Sequence, residues 1–124
     1  MKIQRPRGKL ICVEIDGVLC QRGFPDINPN PVHEAIMRIT ELHEMGAFIV
    51  IYTDRQEKWY AETKAWLVKM RVPFVGIAMR HKPRADYYID SRSINSADWL
   101  ADKTRYRGSR RPVDQALTAG ILTC

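Results

Sequence analysis

Five side chains stand out by type and by position, because each lies at or near the end of a short apolar run. Glu14 and Asp16 follow Leu10-Ile11-Cys12-Val13, Thr53 follows Phe48-Ile49-Val50-Ile51-Tyr52, and Asp90 follows Tyr87-Tyr88-Ile89, with Lys82 a few residues before that last run. Three carboxylates at strand ends can hold a hard divalent ion, which takes oxygen ligands and keeps some of its water. A threonine hydroxyl beside the free amides of a helix start can hold phosphate oxygens, and Thr53-Asp54 stands where a helix would be capped. A lysine nearby can neutralise charge between carboxylate and phosphate. Such a kit suits phosphoryl transfer, where positioning and charge stabilisation carry most of the catalysis. One carboxylate would accept the phosphoryl group, and a second, two residues on, would protonate the leaving group and then activate water.

Those residues work together only if the strands that carry them end on one edge of one sheet. Leu10 to Ile15 reads as a buried strand. Residues 17–30 hold two glycines, Pro25, Pro29 and two asparagines, and read as a loop. From Pro31, apolar residues at Val32, Ala35, Ile36, Ile39, Leu42 and Met45 recur at helical steps, and Gly46 stops the helix. Phe48 to Tyr52 is a second buried strand. A helix is expected from about Gln56 to Met70, with Trp59, Tyr60, Thr63, Trp66, Leu67 and Met70 facing inward. Short strands are expected at Phe74 to Ala78 and Tyr87 to Asp90, then a short helix over Ala97 to Lys103. The order β-α-β-α-β-β-α predicts a three-layer α/β/α, Rossmann-like domain with a mainly parallel sheet and helices on both faces. Ligands of such sheets bind beyond the carboxyl ends of the strands, which selects Glu14, Asp16, Thr53, Lys82 and Asp90.

The same segments, in the same order, resemble the four motifs of the haloacid dehalogenase-like phosphohydrolase superfamily. Glu14-Ile15-Asp16-Gly17-Val18-Leu19 resembles the first, which in the family reads Asp-x-Asp-Gly-x-Leu. Ile51-Tyr52-Thr53-Asp54-Arg55 resembles the second, Lys82-Pro83 the third and Tyr88-Ile89-Asp90-Ser91 the fourth. The match runs from about Leu10 to Trp99. The stretch from Lys82 to Arg92 is similar to a small, capless bacterial and phage branch, and residues 17–30 are too short for an inserted cap domain. The resemblance implies a magnesium-dependent phosphatase acting on a small phosphorylated molecule. It puts Glu14 in the nucleophile position and Asp16 in the acid/base position. Thr53, Asp54, Arg55 and Lys82 would surround the phosphate, and Glu14, Asp16 and Asp90 would hold Mg2+. Two departures bear on activity. The family nucleophile is Asp, and a displacement of about 1 Å can cost about a hundredfold in rate. Ser91 stands where a second acid is common. A catalytically degenerate domain that binds metal or phosphate is therefore the rival reading.

At 124 residues, 45% hydrophobic and 27% charged, the chain has the composition of one ordinary globular domain. No apolar run suggests a membrane span, and Met1 to Arg7 lacks a signal-peptide core, so the expected setting is the cytoplasm, with no membrane partner. The three cysteines, Cys12, Cys20 and Cys124, have no metal-binding spacing, and reduced thiols are expected. The formal charge of +6 belongs to the ends. Lys2, Arg5, Arg7 and Lys9 begin the chain without an acid, Lys103, Arg105, Arg107, Arg110 and Arg111 lie together near its end, and the rest is net acidic. The expected organisation is a basic arm over 1–9, the α/β domain over 10–106 and a tail over 107–124. The basic ends can attract nucleic acid, but solvated arms are the plainer reading and no nucleic-acid motif accompanies them. His33 and His43 read as surface residues and His81 as a residue that can reach the pocket. Trp59, Trp66 and Trp99 read as core, and Asp86 as structural or exposed. The oligomeric state is not legible.

Overall fold

Leu10–Glu14 forms strand β1 and Phe48–Thr53 strand β2, and they pair in parallel with Ile11 opposite Ile49 and Val13 opposite Ile51. Gly76–Met79 (β3) adds to the far side of β2, and Tyr87–Ile89 (β4) to the far side of β1, giving the order β3-β2-β1-β4 with every pairing parallel. The chain is described as a computed structural model that covers residues 3–21 and 29–104. It divides into two compact units, residues 1–93 and 94–124. Arg105, Arg107, Arg110, Arg111, Cys124 and the expected tail lie outside the described residues, as do residues 22–28 of the 17–30 loop.

The small α/β, Rossmann-like class read from the sequence is the class observed. Helix α1 (His33–Glu44) connects β1 to β2, and α2 (Tyr60–Lys69) connects β2 to β3. Both crossovers step the same way across the sheet, so their common right-handedness puts both helices on one face. The core agrees: Ile11, Val13, Ile49 and Ile51 form a buried cluster with Ile36 and Ile39 of α1 and Trp66 and Leu67 of α2. The alternate face carries Cys12, Val50 and Tyr52, with Phe48 and Tyr88 exposed. A three-layer arrangement needs a helix there, and the described residues of the first unit supply none.

Several boundaries differ from the sequence reading. The segment expected as one helix from Gln56 begins as a 3-10 turn over Glu57–Trp59 before α2 starts at Tyr60. Tyr60 faces solvent and Trp59 is half-buried, while Thr63, Trp66 and Leu67 are buried as expected. The indole of Trp66 donates to the carbonyl of Pro29 at 3.0 Å, pinning the end of the long loop to α2. The third strand starts later than expected, at Gly76. Residues 3–9, expected as a solvated arm, instead run onto the body. Pro6 is buried, Ile3 packs against the core, and Gly8 donates to the carbonyl of Gly46 at 2.8 Å. Asp86 is structural: its carboxylate accepts from the Leu10 amide at 2.8 Å and its own amide donates to the Leu10 carbonyl, closing the start of the β1–β4 ladder. His33 and His43 are exposed, and Cys12 and Cys20 are buried free thiols.

In the second unit, α3 (Ser96–Ala101) is capped by Asn95, whose side chain accepts from the amides of Ala97 and Asp98. Trp99, expected in a core, is exposed. Among the described residues no helix is long and apolar enough to cross a membrane.

Ile51 sits at the centre of the cluster with no exposed surface. Ile51→Ala should lower the unfolding free energy by about 2–5 kcal/mol, as cavity-forming core truncations do. Val68→Ala, on the outer side of α2 at 60% exposure, should change it by less than about 0.5 kcal/mol. Denaturant unfolding of the two variants checks the contrast, and similar losses would contradict the assigned core face.

Candidate functional site

The parallel register brings the marked residues to one edge. Val13 lies opposite Ile89, so Glu14 and Asp90 leave neighbouring strands side by side, at the strand spacing of about 4.8 Å. Glu14 lies opposite Tyr52, one residue before Thr53, and the Ile15 amide continues the ladder to the Tyr52 carbonyl at 3.1 Å. Gly17 turns the chain beyond Asp16 at φ +95°, and a side chain there would collide with Ser91, 2.6 Å from its Oγ. Glycine is therefore required at this position both by its left-handed backbone and by the approach of the loop after β4.

Each carboxylate has a partner of its own. Glu14 Oε1 accepts from both the amide and the hydroxyl of Ser91, at 3.1 and 2.9 Å. The two points at which the sequence differs from the motifs it resembles thus meet: the Glu14 side chain reaches the neighbouring strand end, and the residue there is a neutral donor. A second acid at position 91 would face Glu14 and repel it. Asp16 accepts from the Arg55 guanidinium, Nη2 to Oδ1 at 3.0 Å. Asp90 takes Lys82 at 2.7 Å and both the amide and the hydroxyl of Ser93 at 2.9 Å. Among the described residues no group of three or more His, Cys, Asp or Glu side chains is arranged to hold a metal ion. The backbone brings Glu14, Asp16 and Asp90 to one edge, but their side chains turn to Ser91, Arg55 and Lys82 rather than to one another.

Arg55 is the residue whose weight the sequence did not convey. It is 2% exposed. Nη1 donates to Thr63 on α2 at 3.1 Å and Nη2 to Asp16, while Nε is buried without a partner. The expectation that Thr53-Asp54 caps the following helix is not met. The Thr53 hydroxyl accepts the Arg55 amide at 3.1 Å and lies 3.5 Å from Asp16 Oδ2. That local bond turns the chain and buries Arg55 before the 3-10 turn begins at Glu57. Asp54 accepts from the Tyr52 hydroxyl at 2.6 Å. This bond is the main reason the Tyr52 phenol is pushed up to about 12. Burial is the main reason the Cys20 thiol is pushed up to about 11, which keeps it neutral.

A cleft of about 300 Å³ opens at this edge, lined by Glu14, Asp16, Asp54, Arg55, Gln56, Arg80 and Arg92. Four of the candidate residues therefore share it. Thr53 is fully buried behind it, and Lys82, Asp90 and His81 do not line it. Lys82 instead lies over the Tyr88 ring, 4.7 Å from its centre. Arg80 and Gln56 were not legible as site residues, because no motif marks either. Arg92 closes the Lys82-to-Arg92 stretch that carries part of the sequence resemblance.

No protein-family model matches the chain, and no curated protein matches it. Two solved structures share the fold. A conserved protein from Bacteroides thetaiotaomicron is similar with a TM-score of 0.59 and 17% identity, over 74% of this chain and 85% of that one. A structural-genomics target from Vibrio cholerae is similar with a TM-score of 0.53 and 25% identity, over 90% of this chain and 98% of that one. These likenesses define the class of this protein: a small α/β, Rossmann-like domain.

The Lys82–Asp90 pair makes the edge pH-sensitive. The hydrogen bond from Lys82 is the main reason the Asp90 carboxyl is held at about 2 instead of 3.8. The same bond is the main reason Lys82 is raised above 10.5. Asp90 ionises more readily folded than unfolded, so its stabilisation is complete above pH 3.8 and is lost as the pH falls towards 2. For Lys82 the sign is opposite: its share is complete below pH 10.5 and is lost above it. Lys82→Met should therefore melt lower than the wild type by a constant margin from about pH 5 to 9, and the margin should close near pH 2. Melting temperatures across that range test this, and an undiminished margin at pH 2 would mean the loss does not come from the ion pair.

Proposed function

We propose that this chain is a slow phosphatase of the haloacid dehalogenase-like type, acting on a small phosphomonoester. The observation that carries the reading is the cleft itself: Glu14 and Asp16 open together with three arginines at the carboxyl edge of a parallel sheet, where such sheets take their ligands. Glu14 would attack phosphorus, forming an acyl phosphate as the ester P–O bond breaks. Asp16 would enter the step protonated, with Oδ1 kept on Arg55, and give that proton to the departing oxygen. It would then take a proton from the water that attacks phosphorus, releasing phosphate and restoring Glu14. Arg55 holds Asp16 in place through its buried ion pair.

Magnesium belongs to this reading as its expected metal, since Glu14, Asp16 and Asp90 offer the hard oxygens it prefers. Their side chains as arranged do not form its ligand set, so the chemistry assigned here runs on the chain's own groups. That arrangement favours a second reading, a phosphate-binding module without turnover. A reducing, cytoplasmic setting accords with the free thiols of Cys12 and Cys20.

Hydrolysis of an aryl phosphate, with magnesium and in EDTA, tests the first reading. Asp16→Asn should lower turnover by about 10²–10⁴, the usual worth of a general acid/base. The amide keeps an acceptor oxygen for Arg55, and a melting curve should confirm that the variant is folded. Glu14→Asp should raise turnover by one to two orders of magnitude, or roughly 1.4–2.7 kcal/mol of barrier, by restoring the shorter reach. No turnover by the wild type or by Glu14→Asp across a broad phosphomonoester panel would leave the binding module as the function.

A further inference from the structure

Without two residues outside the motifs, the lining of the cleft would be net negative and would repel a phosphate dianion; with them it is neutral. Of the lining residues, Glu14, Asp16 and Asp54 are acidic, and Arg55 is engaged by Asp16. Glu14 and Asp54 hydrogen-bond to neutral donors, Ser91 and Tyr52, which leaves their charges uncompensated. Lys82, the cation that the motif order would bring to the phosphate, is engaged by Asp90 and does not line the cleft. The remaining lining cations are Arg80 and Arg92, and neither has an ion-pair partner among the described residues.

Their places in the fold suit a clamp. Arg80 follows directly on β3 and Arg92 comes shortly after β4, so they flank the edge from the two outer strands. The inner strands, β1 and β2, lead to Glu14, Asp16 and Thr53 between them. Arg80 is fixed by its amide, which donates to the Thr53 carbonyl at 2.7 Å. Its backbone sits in the left-handed region at φ +64°, a conformation that costs free energy in a non-glycine residue and gathers at ligand sites. A guanidinium presents a planar fork of donors that matches phosphate oxygens. A cleft of about 300 Å³ is at the small end of ligand pockets, enough for a phosphoryl group and a modest organic part.

We propose that Arg80 and Arg92 form the anion clamp of this cleft, binding the phosphoryl dianion of a small phosphomonoester in the role that the motif order gives to Lys82. The proposal rests on the phosphoester reading of the cleft, but it concerns binding and can fail separately from turnover. Titration calorimetry with inorganic phosphate and with phenyl phosphate, in EDTA, separates the free anion from the ester. The protein carrying Arg80→Gln and Arg92→Gln should bind both at least tenfold more weakly than the wild type, which is about 1.4 kcal/mol. Arg84→Gln, an exposed arginine outside the cleft, removes a like charge and should leave the affinity unchanged. The competing arm is Lys82→Gln with Asp90→Asn, which removes both charges of that pair, and it should bind within threefold of the wild type. Affinity unchanged in the double-arginine variant overturns the clamp. So does a tenfold loss in the Lys82/Asp90 variant, or a wild type that binds no phosphate at millimolar concentration without magnesium. A wild type that binds through the arginines yet hydrolyses nothing leaves the clamp standing and removes the phosphatase.

Discussion

The arrangement of this edge depends on a buried guanidinium. Arg55 is almost fully covered, and a charge in such a place must be paired and hydrogen-bonded. Its partners come from two different elements: Asp16, 39 residues away beyond β1, and Thr63 on α2. One side chain therefore ties the end of β2 to the end of β1 and to the helix that covers them. Asp16 cannot leave without exposing an unpaired cation to the core, so this cleft carboxylate is also part of the structure's support. That double duty explains why Asp16 is fixed and pointed, while Arg80 and Arg92 remain exposed at the rim.

A second constraint is the register of the parallel pairs. With Val13 opposite Ile89 and Glu14 opposite Tyr52, one strand end faces two neighbours. A shift by one residue would carry Ile11 and Val13 out of the core, so the burial that stabilises the sheet also sets which polar residues meet at its edge. Within that frame Glu14 and Ser91 are complementary. The extra methylene of Glu14 directs its carboxylate onto a hydroxyl and an amide at the end of the next strand. Gly17 leaves the space in which they meet. Two residues 77 positions apart in the sequence form one hydrogen-bonded pair in the fold.

The elements were legible because their signals are local. The short apolar runs at Leu10 to Val13 and Phe48 to Tyr52 read as strands by their length and β-branched content, and the three- and four-residue spacing from Val32 to Met45 ending at Gly46 is helical by periodicity alone. Where the reading failed, a competing interaction overrode a local preference. Thr53-Asp54 has the composition of a helix cap, yet the Thr53 hydroxyl accepts the Arg55 amide and postpones the helix to Tyr60. The basic start reads as a solvated arm, yet Ile3 and Pro6 find apolar cover on the body. Lys82 was marked by its motif position, but Asp90 engages it.

The sequence by itself determined the class of the fold, the order of its strands and helices, and that Glu14, Asp16, Thr53 and Asp90 would gather at the carboxyl edge. These follow from hydrophobic periodicity and from the handedness of parallel crossovers, which act on neighbours in the chain and on general rules of packing. Only the tertiary structure decided which charge meets which. Arg55 turns inward to Asp16, Lys82 closes on Asp90, Glu14 reaches Ser91, and Arg80 and Arg92 are left facing the cleft. Those choices depend on contacts between residues up to 77 positions apart and on the cost of leaving a charge buried alone, and no pattern in the linear chain records either.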